Sequence, residues 1–404
     1  MTLRKLAIFL MLIPGLALAE ARQIDEFQWE GVQRIVAVGD IHGDYDNYMA
    51  TLEAAGLVDS KGKWSGGQTH FVQVGDLPDR GPDTRKIIGH ISQLAKQAKR
   101  KGGRVHSLIG NHEVMNVTGD LRYVHPGEYE AFVTRKSKSM RDRYYEMYME
   151  RFEQRDPDAF AALPADFQAQ WEKEHPLGWL EHRQAWDPAW NRDAEYAKWV
   201  MDKKVAIRIN DNLFVHGGIS SFYCANSLDS MTQKAVAQMQ SFDLANPGIV
   251  MDPNGPLWYR GLSGMEPQAS METVDAILAR QGVVRIVVGH QPTSGVIWPN
   301  LDARVVMIDT GISKHYGGHV AYLEILPGAV NAGYPWGKLG LPASDAEAIP
   351  YLEKVIEHDP QNAYLKARLK KLLNPVETAP ADGAANPAAV EGAESAAQPI
   401  CGTS

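Results

Sequence analysis

The chain has 404 residues, of which 41 are Lys or Arg and 49 are Asp or Glu, so its formal net charge is −8. This mildly acidic balance argues against a protein that coats nucleic acid. The two cysteines exclude a disulfide-rich scaffold and form no Cys-x-x-Cys pair for a structural zinc ion. The length accommodates one large α/β domain with insertions, or two domains.

The first 19 residues have the three parts of a secretory signal peptide. Arg4 and Lys5 precede an apolar run at residues 6–16, and Ala17-Leu18-Ala19 is a small-x-small cleavage site. The apolar run is much shorter than the roughly 20 residues that cross a bilayer. We therefore expect an exported protein, periplasmic or secreted, without a membrane-spanning segment.

Six short segments rich in β-branched residues follow, and each is followed by polar residues. They are residues 34–38, 70–74, 105–109, 213–215, 285–288 and 304–308. Such segments are typical of buried strands. Because open α/β sheets bind ligands at the carboxyl ends of their strands, we expect these six ends to bring side chains to one crevice.

Between the strands, the apolar spacing of residues 83–101 predicts a helix, and a second helix is expected at 273–280. Residues 205–215, with the turn Asn210-Asp211-Asn212, predict a β-hairpin. Residues 121–200 are rich in Trp, Tyr and charged residues, which predicts a mostly helical insertion. This insertion either packs as scaffold or forms a lid beside His112.

The C-terminal part departs from this pattern. Two amphipathic runs within residues 345–375 predict a helix pair that docks on the main domain at 20–344. Residues 376–404 are rich in Ala and lack Trp, Phe, Tyr and Leu, which predicts a disordered tail. Export would permit a disulfide between Cys224 and Cys401, but the position of Cys401 in the tail disfavours it.

Five motifs carry the chemistry, and each follows a predicted strand. They are Gly39-Asp40-Ile41-His42-Gly43, Gly75-Asp76-Leu77-Pro78-Asp79-Arg80-Gly81, Gly110-Asn111-His112-Glu113, His216-Gly217-Gly218 and Gly289-His290. Their carboxylate, amide and imidazole groups, without a thiolate, favour Mn, Fe or Zn. Asp76 is suited to bridge two cations about 3.5–4 Å apart, which would acidify a shared water and supply a hydroxide nucleophile.

Further residues indicate phosphoryl transfer. Arg80 is a planar bidentate donor that suits a phosphate group, and Arg260 is a candidate second donor. His112 is a candidate general acid for the leaving oxygen. Asp79 would orient its imidazole and stabilise the protonated form.

Together these motifs resemble the PPP family of metal-dependent phosphoprotein phosphatases. The run Gly289-His290-Gln291-Pro292-Thr293 and the run Pro256-Leu257-Trp258-Tyr259-Arg260 depart from the eukaryotic serine/threonine enzymes and resemble the bacterial Shewanella-like branch. The resemblance covers residues 34 to about 325. It implies an α/β, layered calcineurin-like fold, in which helices flank two mixed β-sheets.

The resemblance also implies roles for the motif residues. Asp40 and His42 would bind the first metal, Asp76 would bridge, and Asn111, His216 and His290 would bind the second. Arg80 and Arg260, with Asn111 beside them, would hold the phosphate, and His112 with Asp79 would be the acid. The cofactor would be two divalent ions, with manganese expected in vitro, and the substrate a phosphoprotein or phosphopeptide.

Several alternatives stay open at this point. One is a diadenosine tetraphosphatase-like hydrolase, although the intact Asp79-Arg80 pair favours a protein phosphatase. Others are a hydrolase of nucleotides or small phosphoesters and, outside the enzymes, a phosphopeptide-binding module that has lost catalysis. The complete ligand set and His112 argue against that module. A preference for phosphotyrosine over phosphoserine or phosphothreonine is reported within this branch, but the sequence decides neither this preference nor the oligomeric state.

Overall fold

The computed structural model describes residues 21–265 and 268–374 together with Cys401. The predicted signal peptide therefore lies outside the described residues, as does the predicted tail apart from Cys401. No helix within these ranges is long and apolar enough to cross a membrane.

Thirteen strands in the described ranges form two mixed sheets. In chain order they are β1 (Arg22–Gln23), β2 (Gln28–Glu30), β3 (Ile35–Val38), β4 (His70–Gln73), β5 (Arg104–Ser107), β6 (Ala206–Ile209), β7 (Asn212–Val215), β8 (Arg285–Val288), β9 (Trp298–Asn300), β10 (Val305–Met307), β11 (Tyr322–Leu326), β12 (Ala329–Tyr334) and β13 (Gly337–Gly340). The first sheet has the order β1-β2-β6-β7-β8-β10-β9, and the second has the order β13-β12-β11-β3-β4-β5.

Helices connect and cover these sheets. The α-helices are α1 (Tyr45–Ala54), α2 (Thr84–Arg100), α3 (Asn111–Val117), α4 (Pro126–Glu130), α5 (Ser137–Arg155), α6 (Pro157–Ala161), α7 (Phe167–Glu174), α8 (Trp179–Trp186), α9 (Glu195–Met201), α10 (Leu228–Gln240), α11 (Met271–Gln281), α12 (Ala348–His358) and α13 (Ala363–Leu373). Short 3-10 segments lie at Gly248–Val250, Lys314–Tyr316 and Asp345–Glu347.

The six predicted strands are confirmed, and they fall into two parallel triplets. In one sheet β3 pairs with β4 and β4 with β5; in the other β7 pairs with β8 and β8 with β10. β3 is an uninterrupted apolar run whose four residues are all buried, as expected for a strand covered on both faces. One hydrophobic core contains residues of both sheets. Two mixed sheets flanked by helices, the predicted fold class, are therefore present.

The predicted helices and hairpin are also confirmed. α2 buries Ile87, Ile91 and Leu94 on one face, which is the stripe that predicted it. α11 extends the expected helix by two residues at its start and one at its end. β6 and β7 pair antiparallel across the turn at Asn210, whose φ is 54°.

Helices α4 to α9 occupy the segment predicted as a helical insertion. α8 and α9 pack against α3, the helix that begins at Asn111. Most aromatic residues of this segment contact one another: the ring of Tyr144 lies 5.6 Å from that of Trp179 and 5.5 Å from that of Trp190. A role as a lid stays a prediction.

The C-terminal helices α12 and α13 are bonded to the segment before β9 and to the end of β12. Tyr351 of α12 donates a hydrogen bond from Oη to the carbonyl of Ile297, at 2.7 Å, and its Oη lies 2.8 Å from that of Tyr334. Asn362, which caps α13, donates from Nδ2 to the carbonyl of Ser294 at 2.8 Å. These buried polar contacts fix the helix pair to the main domain.

The sequence disfavours a bond between Cys224 and Cys401 without deciding it, and the structure pairs them. They form a disulfide with a Cα–Cα separation of 5.6 Å. Cys224 is buried in the segment after β7, and Cys401 packs at the edge of the core. Local composition suggested that Cys401 lies in a free tail, but pairing depends on where the chain returns in space, which composition does not encode.

Candidate active site

The candidate metal ligands lie just beyond the carboxyl ends of five strands, in both sheets. Asp40 and His42 follow β3, Asp76 follows β4, and Asn111 follows β5 at the start of α3. His216 follows β7 and His290 follows β8. All six side chains are buried, and parallel pairing brings them to one crevice, as the sequence predicts.

The backbone at these strand ends is strained. Five residues other than glycine have positive φ angles, between 49° and 72°: His42, Asp76, Asp79, Arg80 and His290. Residues that have a Cβ rarely adopt this left-handed backbone conformation. Those that do adopt it are concentrated at functional sites. These five residues therefore mark the strand ends and the loop after β4 as a candidate functional site.

Two glycines make room for the carboxylates. A Cβ on Gly110 would overlap Oδ1 of Asp76, and a Cβ on Gly289 would overlap Oδ1 of Asp40. The glycines of these motifs therefore permit the close approach of backbone to ligand side chain.

Four of the predicted ligands converge in one cluster. Nε2 of His216 lies 2.8 Å from Oδ1 of Asn111, 3.1 Å from Nδ1 of His290 and 3.3 Å from Oδ2 of Asp76. Nδ1 of His216 lies 3.1 Å from the carbonyl of Val74, which only accepts hydrogen bonds, so this nitrogen is the donor. In the neutral ring Nε2 then carries a lone pair, and other acceptor atoms surround it. A cation between these acceptors would bind all of them.

A second cluster shares Asp76. Nε2 of His42 lies 3.8 Å from Oδ2 of Asp76 and 4.0 Å from Oδ2 of Asp40. Nδ1 of His42 donates to the carbonyl of Pro78 at 3.1 Å, so Nε2 again faces the carboxylates with a lone pair. His112 also reaches this cluster, since its Nε2 lies 3.8 Å from Oδ2 of Asp76.

The electrostatics of the crevice also fit cations. Burial and the neighbouring carboxylates of Asp309 and Asp76 raise the pKa of Asp40 well above its ordinary value. Burial and the charge of Asp76 raise the pKa of Glu113 to about 7. Crowded buried carboxyl groups of this kind repel one another, and divalent cations would relieve that repulsion. The donor set, with oxygens, imidazoles and a shared carboxylate, therefore suits a pair of divalent ions.

His112 forms a buried pair with Asp79. Its Nδ1 lies 2.5 Å from Oδ2 of Asp79. Burial lowers the pKa of His112, but the carboxylates of Asp76 and Asp79 raise it by more, so this pKa lies above its ordinary value of 6.5. The pair can hold a proton on Nε2, the nitrogen that faces the crevice.

The two arginines differ in their surroundings. The Arg80 guanidinium stacks on Tyr123, with Cζ 3.8 Å from the ring centroid, and its buried Nε has no hydrogen-bond partner among the described residues. Burial lowers the pKa of Arg260, while the carboxylates of Asp76 and Asp40 oppose that shift. Both side chains thus bring positive charge to the crevice.

Three residues without a predicted role belong to the site. Glu113 accepts hydrogen bonds from the amides of Gly110, Asp76 and Leu77 at 2.8–2.9 Å, which ties two motifs together. Asn116 donates from Nδ2 to Oδ1 of Asp79 at 2.9 Å. Asp309 is buried and forms a side-chain hydrogen bond with Asp40.

Sequence signals for these three existed. Glu113 completes the third motif, and Asn116 lies one helical turn after His112. Asp309 directly follows the last predicted strand, in the same position as the assigned ligands.

Comparison with known proteins agrees with this geometry. The family model for calcineurin-like phosphoesterases matches residues 33–294. The chain belongs to the calcineurin-like phosphoesterase family. The match spans all five motifs of this phosphoesterase and confirms the resemblance deduced from them.

Relatives with similar length support this assignment. An uncharacterized protein of Schizosaccharomyces pombe is 30% identical over 302 residues, covering 72% of this chain and 76% of the relative. Shewanella-like protein phosphatase 2 of Arabidopsis thaliana is 28% identical over 298 residues, covering 72% and 74%. The crystal structure of a cold-active protein-tyrosine phosphatase from a psychrophilic Shewanella superposes with a TM-score of 0.59 at 28% identity, covering 79% and 83%.

Proposed function

We propose that this phosphoesterase is a metal-dependent phosphoprotein phosphatase that hydrolyses phosphate monoesters and prefers phosphotyrosine. The observation that carries the proposal is the buried His112–Asp79 pair, which lies beside a donor set for two divalent cations. The relatives named as protein phosphatases, one of them a tyrosine phosphatase, support the substrate class.

Different residues of the chain have different roles in this reaction. Two divalent cations, when bound by the six ligands, would supply Lewis acidity for water activation and for neutralising phosphate charge. Arg80 and Arg260 donate hydrogen bonds to the phosphate oxygens and orient the group for attack. His112 gives the proton on Nε2 to the ester oxygen as the P–O bond breaks. Asp79 holds the imidazole through Nδ1 and stabilises its charged form.

The metals proposed are manganese, iron or zinc, with manganese as the ion for reconstitution. The donor set contains imidazoles and carboxylates and no thiolate, which suits these ions. Elemental analysis of protein purified without added metal identifies the native pair. Copper in place of these ions would refute the assignment.

Export to the periplasm or the medium is part of the proposal. The N-terminal sequence has the pattern of a signal peptide, and the Cys224–Cys401 disulfide suits an oxidising compartment. N-terminal sequencing of protein from the native host is expected to start near Glu20, directly after Ala19. Recovery from the cytoplasm with Met1 intact would contradict export.

A substrate panel tests the activity itself. Manganese-loaded protein is assayed for phosphate release from phosphotyrosine, phosphoserine and phosphothreonine peptides of one sequence, and from diadenosine tetraphosphate. We expect the highest kcat/KM on the phosphotyrosine peptide. A higher kcat/KM on the dinucleotide than on every peptide would replace the proposal with a dinucleotide hydrolase.

A further inference from the structure

Two tyrosines, Tyr123 and Tyr316, lie beside Arg80. Tyr123 belongs to the segment before α4, and Tyr316 ends the short helix after β10. The guanidinium Cζ of Arg80 lies 3.8 Å from the ring centroid of Tyr123 and 6.0 Å from that of Tyr316. The amide of Arg80 also donates to the carbonyl of Tyr123 at 3.0 Å, which fixes this tyrosine to the phosphate-binding turn.

The same two rings adjoin the histidines of the reaction centre. The ring of Tyr123 lies 5.3 Å from that of His112, and the ring of Tyr316 lies 5.1 Å from that of His42. The two histidine rings are themselves 4.8 Å apart. The four rings thus border the space between the acid and the phosphate-binding arginine.

The position of the leaving group follows from these neighbours. If Arg80 holds the phosphate and His112 protonates the ester oxygen, the group attached to that oxygen emerges beside Tyr123. Both tyrosines are only partly buried, so part of each residue is accessible to a ligand. An aryl group leaving there meets aromatic surface, whereas the short methylene of phosphoserine presents almost no area to it.

We propose that Tyr123 and Tyr316 are specificity-determining residues that form an aromatic slot for the leaving ring of phosphotyrosine. The inference rests on the proposed function and specifies its substrate class. Contacts between aromatic rings in offset or edge-to-face geometry favour an aryl ligand by about 3- to 10-fold per pair. Neither tyrosine touches a reacting atom in the catalytic scheme, so the slot acts on selectivity.

Binding of unreactive analogues tests the slot without depending on turnover. Affinities of manganese-loaded protein for phenylphosphonate and methylphosphonate are measured by calorimetry. We expect the phenyl-to-methyl affinity ratio to fall about 3- to 10-fold in Tyr123→Leu and in Tyr316→Leu, and to return in the corresponding Phe variants. Tyr364→Leu is the control, because Tyr364 is exposed on α13.

Two outcomes would overturn the inference. An equal loss of both affinities would mean that the tyrosines only position Arg80. An unchanged ratio in both folded Leu variants, as judged by circular dichroism, would mean that the rings do not meet the leaving group.

The peptide assay keeps this test separate from that of the proposed function. The ratio of kcat/KM for phosphotyrosine and phosphoserine peptides is expected to fall in the same variants. A wild-type protein that prefers phenylphosphonate through these rings but hydrolyses no phosphopeptide would refute the phosphatase proposal and support the slot.

Discussion

Nδ1 of His112 lies 2.5 Å from Oδ2 of Asp79, and both side chains are buried. A carboxylate in this position accepts the Nδ1 proton and fixes the ring, so Nε2 is directed at the crevice. The second oxygen of Asp79 is held by Asn116, at 2.9 Å. The histidine is thus oriented by a chain of two hydrogen-bonded groups that are not among the candidate metal ligands.

Replacing His112 should matter most for substrates with poor leaving groups. A p-nitrophenolate needs little protonation as it leaves, whereas a serine alkoxide needs much. General acid catalysis is typically worth about 10²–10⁴-fold. We expect His112→Asn to lower kcat modestly on p-nitrophenyl phosphate and severely on a phosphoserine peptide, with two metals still bound. Equal losses on both substrates would assign His112 to metal or phosphate binding.

Replacing Asp79 should shift the pH profile. The carboxylates of Asp76 and Asp79 raise the pKa of His112 against the effect of burial, and a general acid loses activity above its pKa. In Asp79→Asn the pKa of His112 falls, so the alkaline limb of the kcat profile moves to lower pH. The kcat of Asp79→Asn should also fall more on the phosphoserine peptide than on p-nitrophenyl phosphate, but by less than the kcat of His112→Asn. An alkaline limb that stays in place would exclude this role.

Glu128 should make the stability of the fold depend on pH. Burial raises the pKa of this carboxyl, which accepts the amide of Thr84 at 3.1 Å, from 4.5 to about 8. Between these values the unfolded chain loses the proton that the folded chain keeps, so this group costs stability as pH rises. Glu128→Gln should therefore gain stability relative to wild type between pH 5 and pH 8.

Urea unfolding at both pH values measures this gain. Glu130→Gln is the matched control, since Glu130 is exposed on the same helix α4. Parallel pH dependence in wild type and Glu128→Gln would show that Glu128 titrates normally.

Reducing the disulfide should destabilise the protein without changing the active site. The Cys224–Cys401 bond closes a loop with a sequence separation of 177 residues, and native disulfides typically contribute about 2–4 kcal/mol. Dithiothreitol should lower the Tm of wild type to that of the Cys224→Ser/Cys401→Ser variant, which itself should not respond. A Tm that dithiothreitol leaves unchanged, with free thiols confirmed by mass, would contradict this.

The sequence predicted the strands and the ligand positions because both are local signals. β3 and β8 are largely apolar runs that each end at a glycine, and the residue after that glycine is a ligand, Asp40 or His290. The parallel topology then follows from general rules of α/β sheets, and with it the convergence of the strand ends.

The remaining features are set by three-dimensional packing. Tyr123 and Tyr316 are far apart in sequence and meet only around Arg80. The disulfide likewise depends on the return of the chain to the segment after β7. Neither the proximity of the two tyrosines nor the disulfide leaves a periodicity or a residue spacing that can be recognised in a single sequence.

Metal content measured together with phosphate release tests whether a metal pair shared at Asp76 drives hydrolysis. Asp76 lies in both ligand clusters, so Asp76→Asn should lose metal and turnover together. Wild type should bind two equivalents and hydrolyse a phosphotyrosine peptide, and chelation should abolish both until manganese is restored. Full hydrolysis by metal-free wild type, or two equivalents of metal in an active Asp76→Asn variant, would contradict a two-metal phosphatase.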